Sequence, residues 1–432
     1  MSSNFSRRDF LKTTAAVSAA ATLASLGTSF AFAAGTDRIK VGLVGCGGRG
    51  TGAAGDAIHA SPLVDVVALG DLFKDRLDQS RQNLSKLDEK ESGRAAGTPH
   101  PQMKVADDKC FVGFDAYKKV IDSGIDYVIL TTPPGFRPEQ FAYAIEKGKH
   151  VFAEKPIAVD PVGVRKFIET GKIADQKKLS VVGGFVFRRD RIHIETIQKI
   201  HSGAIGDVVS GNSYYNVGYL WQHARQPEWS DLEYQIRNWL YFTWLSGDLI
   251  VEQNIHRIDI TNWIMKAPPA SAYGMGGRQV RVDPAYGNVF DHFAVEFEYP
   301  NGIKVANMCR QIDGTDPRVS EIYFGTKGSA DPQKGITGAP RTRKDEPLSI
   351  AYVQEHVDLV NAITSGKQIN ESQRLGESTL TAIMGRMSAY TGKQVTWEQG
   401  MASKLDLWPK EPLAFGPFET PPVAMPGKDP LV

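Results

Sequence analysis

The sequence predicts an α/β protein: a doubly wound parallel sheet at the N-terminal end, then a C-terminal α/β domain with an open, predominantly antiparallel sheet. Three observations carry this reading. Between Arg38 and Phe187, short β-rich runs alternate with helical stretches. The first of these runs leads straight into a glycine loop and a helix. Beyond Gly206, strand-like runs become consecutive, and Pro/Gly/Asn turns such as Pro300-Asn301-Gly302 separate several of them. Strands alternating with helices make parallel sheets, whereas consecutive strands joined by tight turns make antiparallel ones.

The runs of the first half are Ile39–Val44, Val64–Leu69, Asp126–Thr131, His150–Ala153 and Ser180–Phe187. They are nearly continuous in apolar residues, as strands covered on both faces should be. Helices are expected between them, for example at Pro138–Lys147 and Val162–Lys177. The polar, Gly/Pro-containing segment Asp88–Asp107 reads as a surface excursion. The runs of the second half are Asp207–Val217, Ser271–Val280, His292–Tyr299, Ile303–Met308 and Ser320–Phe324. One continuous helix is expected over Asp248–Met265, stopping before Pro268-Pro269, and two more near Tyr352–Ile363 and Glu377–Tyr390.

A chain of 432 residues exceeds one average domain. The expected organisation is a leader over 1–33, a nucleotide-binding domain over 34–160, a substrate and oligomerisation domain over 161–400, and a proline-rich tail over 401–432. Residues 161–187 are expected to pack on the first sheet. A formal net charge of +1 gives no global field toward nucleic acid. The three cysteines form no disulfide framework, and no close His/Cys cluster marks a structural zinc.

The leader reads as a twin-arginine export signal. Ser6-Arg7-Arg8-Asp9-Phe10-Leu11-Lys12 precedes an Ala-rich, weakly apolar stretch, and Ala31-Phe32-Ala33 has the form of a cleavage site. The stretch lacks the bulky residues of a stable membrane span. The implied partner is the twin-arginine machinery, which carries folded proteins out of the cytoplasm. The sequence leaves open whether the leader is removed.

Ile39–Val44 runs into Gly45-Cys46-Gly47-Gly48-Arg49-Gly50, and a helix is expected over Thr51–Ala60. This is the Rossmann arrangement. The first glycine allows the tight turn, the second lets a pyrophosphate approach the backbone, and the third lets helix and strand pack closely. The helix N-terminus offers free N–H groups to the anion. Asp71 follows at the end of the next strand, about 20 residues on, where a carboxylate accepts from the ribose hydroxyls of NAD. Lys74 and Arg76 lie close by, so NADP stays open. Nicotinamide cofactors are cytoplasmic; an exported enzyme must load its own before leaving, which implies a tightly held cofactor.

Lys155, in Glu154-Lys155-Pro156 after the strand His150–Ala153, is expected to face the crevice, where a cation can hold a substrate hydroxyl and stabilise an alkoxide. The expected helix carries Glu252 and His256 at i, i+4, with Asp259 at i+3 from the histidine. A histidine with a carboxylate one turn away can act as a general base near neutral pH. No metal is assigned, because a redox cofactor already supplies the chemistry.

These residues carry a family resemblance. VGLVGCGGRG at 41–50, Asp71, Thr131-Thr132-Pro133-Pro134, GKHVFAEKP at 148–156, GAIGD at 203–207 and Glu252-x-x-x-His256-x-x-Asp259 together resemble the glucose–fructose oxidoreductase/inositol dehydrogenase (Gfo/Idh/MocA) family. The resemblance implies a Rossmann domain followed by an α/β domain whose sheet covers the nicotinamide. It implies cofactor contact by Thr131, Thr132, Pro133 and Glu154, and places Lys155 at substrate and nicotinamide. It makes His256 the base that takes the hydroxyl proton as hydride leaves for nicotinamide C4. Two positions depart from the pattern: Glu252 stands where the family often has Asp, and Arg137 where it often has His.

The segment Tyr214–Trp244 is dense in aromatic and polar residues, which suit the CH faces and hydroxyls of a sugar or polyol ring. Candidate substrate contacts are Arg189, Trp221, Arg237, Trp244 and Asp259. The expected function is hydride transfer at a ring hydroxyl of a sugar, glycoside or polyol. The alternative is glycoside hydrolysis by transient oxidation and elimination, as in glycoside hydrolase family 109; a cofactor-binding protein without activity is a third reading. An open antiparallel sheet face also points to a homo-oligomer.

Overall fold

The computed structural model describes residues 38–89, 99–340 and 346–431. The expected leader and part of the 88–107 excursion lie outside the described residues.

The first sheet is assembled from β1 (Ile39–Val44), α1 (Gly48–Ala60), β2 (Val64–Asp71), α2 (Lys74–Ser85), β3 (Cys110–Val112), α3 (Ala116–Asp122), β4 (Tyr127–Leu130), α4 (Arg137–Glu146), β5 (His150–Ala153), α5 (Pro161–Gln176) and β6 (Val181–Gly183). Its six strands are all parallel, in the order β3-β2-β1-β4-β5-β6. The order reverses between β1 and β4, and a parallel sheet binds ligands beyond its strand ends at such a switch point. Every residue of β4 is buried, as is β1 apart from Lys40, which is why these runs are apolar throughout. Sequence patterning missed β3 and α3, since the strand Cys110-Phe111-Val112 is too short to show a period. The run expected over Ser180–Phe187 yields only the three residues of β6 before a helical turn at Val186–Arg188.

The second sheet follows α6 (Arg191–His201) and begins with β7 (Val208–Val217). After it come α7 (Asp231–Arg237), α8 (Thr243–Ser246), α9 (Leu249–Glu252) and α10 (Ile255–Met265). The sheet continues through β8 (Ser271–Gly277), β9 (His292–Glu298), β10 (Lys304–Gln311), β11 (Arg318–Gly325), β12 (Gly328–Asp331) and β13 (Gly335–Ile336). Two long helices, α11 (Leu348–Ser365) and α12 (Ser372–Thr391), precede β14 (Val395–Thr396) and α13 (Trp397–Ala402). The strand order is β13-β12-β11-β7-β10-β9-β8-β14, antiparallel except where β7 meets β10. Burial alternates along β9 and β10: Phe293, Val295, Phe297, Val305 and Cys309 face the core, against α9 and α12. The other face is open, and Met275 on it is 68% exposed.

The helix expected over Asp248–Met265 is broken. Asp248 has a left-handed φ of 80° and is fully enclosed. Its carboxylate accepts from the amides of Leu249 and Phe290 and from the Tyr390 hydroxyl. Burial pushes its pKa up to about 6. At Gln253-Asn254 the ladder slips: the Asn254 amide bonds to the Leu249 carbonyl, five residues back, at 3.2 Å. The polar side chains there turn into the sheet, Asn254 donating to Asn307 and Gln253 accepting from Gln311. Two buried amide contacts with β10 thus outweigh one unbroken helix.

Beside the main core lies a second apolar cluster. Phe73, from the rim of the first sheet, meets Leu232, Ile236, Tyr241, Phe242 and Trp244, with Trp408 and Phe418 of the tail packed against them. The tail itself runs without regular structure beyond α13, tied to the body where the Leu407 amide donates to Asp160 at 2.8 Å.

Next to His256, Arg257 pairs with Glu321 of β11 at 2.8 Å, both side chains almost fully enclosed, so α10 is bolted to the sheet. Glu321→Ala would leave the guanidinium buried without this carboxylate; urea unfolding is expected to show a loss of about 3–5 kcal/mol, and Glu321→Gln a smaller one.

Candidate active site

The glycine loop closes because side chains are absent. A Cβ on Gly45 would sit 2.7 Å from the Thr132 nitrogen, and one on Gly50 would sit 1.8 Å from the Gly45 carbonyl. Gly47 and Gly48, at the start of α1, have nothing within 4 Å of such a position, so open space lies over the helix N-terminus. The Thr131 hydroxyl braces the turn by donating to the Gly45 carbonyl at 2.7 Å. Asp71 accepts from the amides of Cys46 at 2.6 Å and Phe73 at 2.8 Å, while burial raises its pKa. The Cys46 thiol points inward to the Gly70 carbonyl, and burial pushes its pKa well up.

Gly47, Gly48, Asp71, Thr132 and Pro133 line a cleft of about 450 Å³. The volume falls within the usual range for small-molecule sites. Free backbone at a helix N-terminus and a carboxylate at the end of β2 fit the pyrophosphate and a ribose of a dinucleotide.

Lys155 leaves the end of β5 and crosses to α9. Its Nζ donates to the Glu252 carbonyl at 2.6 Å and to Glu252 Oε1 at 2.9 Å. Glu154 serves the loop that precedes it: its carboxylate accepts from Arg49 Nε at 2.5 Å and from the Lys155 amide at 3.1 Å. Arg49 also pairs with Asp56 at 3.1 Å and lies 4.4 Å over the Tyr352 ring of α11. Arg49 lines the same cleft, and through its bond to Glu154 it also joins the glycine loop to the lysine turn.

His256 follows at the start of α10, its ring edge-on to Phe185 and Phe187. Nδ1 is enclosed without a partner. Burial first, then the charges of Lys155 and Arg257, hold the imidazole well below its ordinary pKa. Asp259 pulls the other way but is outweighed, which corrects the expectation of a carboxylate-stabilised imidazolium. Its carboxylate is taken by Arg188 at 2.8 Å and by the Ser378 hydroxyl at 2.7 Å. Enclosed in this way, Asp259 is no substrate contact either.

The other expected substrate contacts divide. Trp244 is 4% exposed and donates its indole N–H to Gln235 at 2.8 Å inside the second apolar cluster, so it is a core residue. Arg189 is held between Asp358 at 3.1 Å and Glu371 at 2.9 Å, its side chain almost enclosed. Trp221 and Arg237 do reach a cleft, but it is the nucleotide cleft at its Asp71 end, not the space around Lys155 and His256. Both therefore line the cleft that holds the glycine loop.

Arg137 was visible in the sequence only as a departure from the family pattern. It is fully enclosed and donates to the carbonyls of Thr132 and Pro156, tying the two turns that flank the crevice; burial lowers its pKa to about 10. Tyr352 and Arg49 meet only in three dimensions, so no local pattern announces their contact. Among the described residues, no group of three or more His, Cys, Asp or Glu is arranged to hold a metal.

The fold and the cleft together define a dinucleotide-binding protein of the Rossmann class. Residues 39–183 match the oxidoreductase family with an NAD-binding Rossmann fold, and residues 194–331 match the Gfo/Idh/MocA C-terminal domain. The chain belongs to the Gfo/Idh/MocA family, and NAD is the cofactor of the cleft. Residues 4–24 match a twin-arginine translocation signal, which directs export. No helix among the described residues is long and apolar enough to cross a membrane.

A glycosyl hydrolase family 109 protein of Shewanella pealeana is 27% identical over 312 residues, 68% of this chain and 62% of the relative. The chain thus matches less than two thirds of that relative's length. Myo-inositol 2-dehydrogenase of Thermotoga maritima is 25% identical over 67% of this chain and 74% of its own. Scyllo-inositol dehydrogenase of Lactobacillus casei, solved with NAD(H) and scyllo-inositol, shares the fold with a TM-score of 0.61 at 20% identity, over 83% of this chain and 99% of that one.

Two measurements probe this geometry. With its pKa depressed from the ordinary 6.5, His256 stays unprotonated as pH falls. The pH dependence of kcat/KM for oxidation is expected to be flat from about pH 8 to 6, where an unperturbed histidine would lose roughly three quarters of its basic form; an inflection near pH 6.5 would contradict the burial argument. Arg49→Met strands Glu154, and is expected to lower both kcat and thermal stability, with Glu154→Gln in the same chain restoring much of the stability by removing the unpaired charge.

Proposed function

We propose that this chain is an exported oxidoreductase acting on carbohydrate, moving a hydride between a ring hydroxyl of a sugar, glycoside or polyol and tightly held NAD. The observation that carries it is the Lys155 ammonium fixed by Glu252, near enough to His256 that its charge helps burial hold the imidazole below its ordinary pKa. Two Lys155 N–H groups are engaged by Glu252, so the third is available to a substrate oxygen. That bond orients the hydroxyl and stabilises negative charge on it. His256, with Nδ1 enclosed, takes the hydroxyl proton through Nε2. Bound NAD supplies the acceptor for the hydride. Phe185 and Phe187 flank the imidazole and keep water from it.

A second reading is favoured by the glycosyl hydrolase family 109 relatives: the same residues oxidise a glycoside, the acidified C–H loses its proton, the aglycone departs, water adds, and the hydride returns to the sugar. Both readings share the first step. Incubating the NAD-loaded chain with polyols, free sugars and aryl glycosides separates them. Substrate-dependent reduction of NAD, with an oxidised sugar as product, supports the oxidoreductase. Free sugar released over many turnovers with NAD unchanged supports the hydrolase and overturns net oxidation. Under either, Lys155→Met and His256→Phe are expected to lower kcat by roughly 10²–10⁴, with bound NAD retained. If neither change altered any turnover, the site would lie elsewhere.

We further propose that the open face of the second sheet pairs two copies of the chain. Met275 and Met308 stand in one row across it, in register with Ala294. Met275→Glu with Met308→Glu is expected to shift the protein to monomer in light scattering.

A further inference from the structure

The coil between β7 and α7 has no place in the chemistry at Lys155, yet it is firmly fixed. Buried Asn238 grips it from both sides, accepting from the His223 amide at 2.8 Å and donating to the His223 carbonyl at 3.0 Å. The Tyr241 hydroxyl donates to the Trp221 carbonyl at 2.8 Å. Held this way, Trp221, His223 and Trp239 line the nucleotide cleft together with Asp71. Arg76, on α2, reaches across to His223 Nε2 at 3.3 Å, and Arg237 spans to Asp75 at 3.1 Å with its guanidinium 3.8 Å over the Phe73 ring. The second half of the chain therefore closes over the β2 end of the first.

The tail reinforces the closure. Phe415 lies against Phe73 and Phe114, both cleft-lining, at ring separations of 6.1 and 5.3 Å. The Gly416 carbonyl accepts from the Leu232 amide, and Gln235 donates to the Phe418 carbonyl at 3.0 Å, so the tail holds α7 in place. Trp221 is nonetheless 41% exposed, although its neighbours on the coil are pinned. A large indole fixed in a cleft wall and left uncovered is a surface prepared for a flat partner.

We propose that the 218–230 coil and the 405–418 tail complete the adenosine half of the NAD site and latch the cofactor in, with Trp221 and Trp239 as contacts for the adenosine and Phe415 as the clasp. The proposal rests on NAD occupying this cleft. Release of the nucleotide then requires the coil and the tail to lift together, which makes NAD a resident group and not a co-substrate exchanged at each turnover.

The test follows nucleotide loss. The protein is loaded with NAD, freed of excess by gel filtration, and challenged with an excess of a fluorescent NAD analogue; the retained NAD is measured with time. Trp221→Ala and Phe415→Ala are suitable variants, since Phe415 is also 48% exposed and neither side chain supports the core. Tyr273→Ala, on the open sheet face, is the control. Losing one aromatic contact to a base is expected to speed release about tenfold, and the double variant further, with the control at the wild-type rate. Equal release rates for wild type and both variants would overturn the latch while leaving the NAD site intact. A wild-type chain that holds no NAD under any condition would overturn the site itself.

Discussion

The ion pair between Lys155 and Glu252 is the contact on which the site depends. One partner ends a strand of the parallel sheet; the other ends a short helix that belongs to the second half of the chain. Both are largely withdrawn from water, and such a pair contributes little net stability once desolvation is counted. What it fixes is position. The ammonium sits at one point in the crevice because a carbonyl and a carboxylate of the same residue hold it. The break at Gln253-Asn254 is part of this arrangement, since it lets Glu252 reach the lysine while His256 starts a new helix beside it.

The charges behind this pair are matched in turn. Glu154 has Arg49, Asp259 has Arg188, and Glu371 has Arg189 and Arg374. Glu252 and Asp259, the acidic residues on either side of His256 in the chain, are both held by cations, and burial with the charges of Lys155 and Arg257 dominates at the imidazole. Its neutrality is the remainder of that accounting, not a property of the helix that carries it. The same logic explains why the carboxylate one turn away fails as its partner: the Arg188 guanidinium and the Ser378 hydroxyl already hold Asp259.

Much of this was legible in the chain. The glycine loop, the apolar strands around it and the turn to the alternating strands of β9 and β10 each obey a local rule, so spacing and burial pattern found them. Lys155 and His256 were singled out by motif context, and the structure sets both beside Glu252 or its helix break. The short strand β3 left no period to read. The broken helix was hidden because its cause, amide contacts with Asn307 and Gln311, lies some fifty residues away. Aromatic composition marked the 214–244 segment as special but could not separate Trp244, which fills a core, from Trp221, which faces a cleft. That distinction is made by which side of a coil each residue ends on, and the coil's path is set by Asn238 and the tail.

The cysteines carry a last consequence. Cys46 and Cys309 are enclosed, and burial drives both thiols away from the thiolate form. Thiolate is the species that oxidants and disulfides attack. A protein that folds in a reducing cytoplasm and is then delivered beyond it meets oxidising conditions with these sulfurs already sealed in. The glycine loop can thus keep a thiol at its centre without oxidative damage reaching the turn that holds the cofactor.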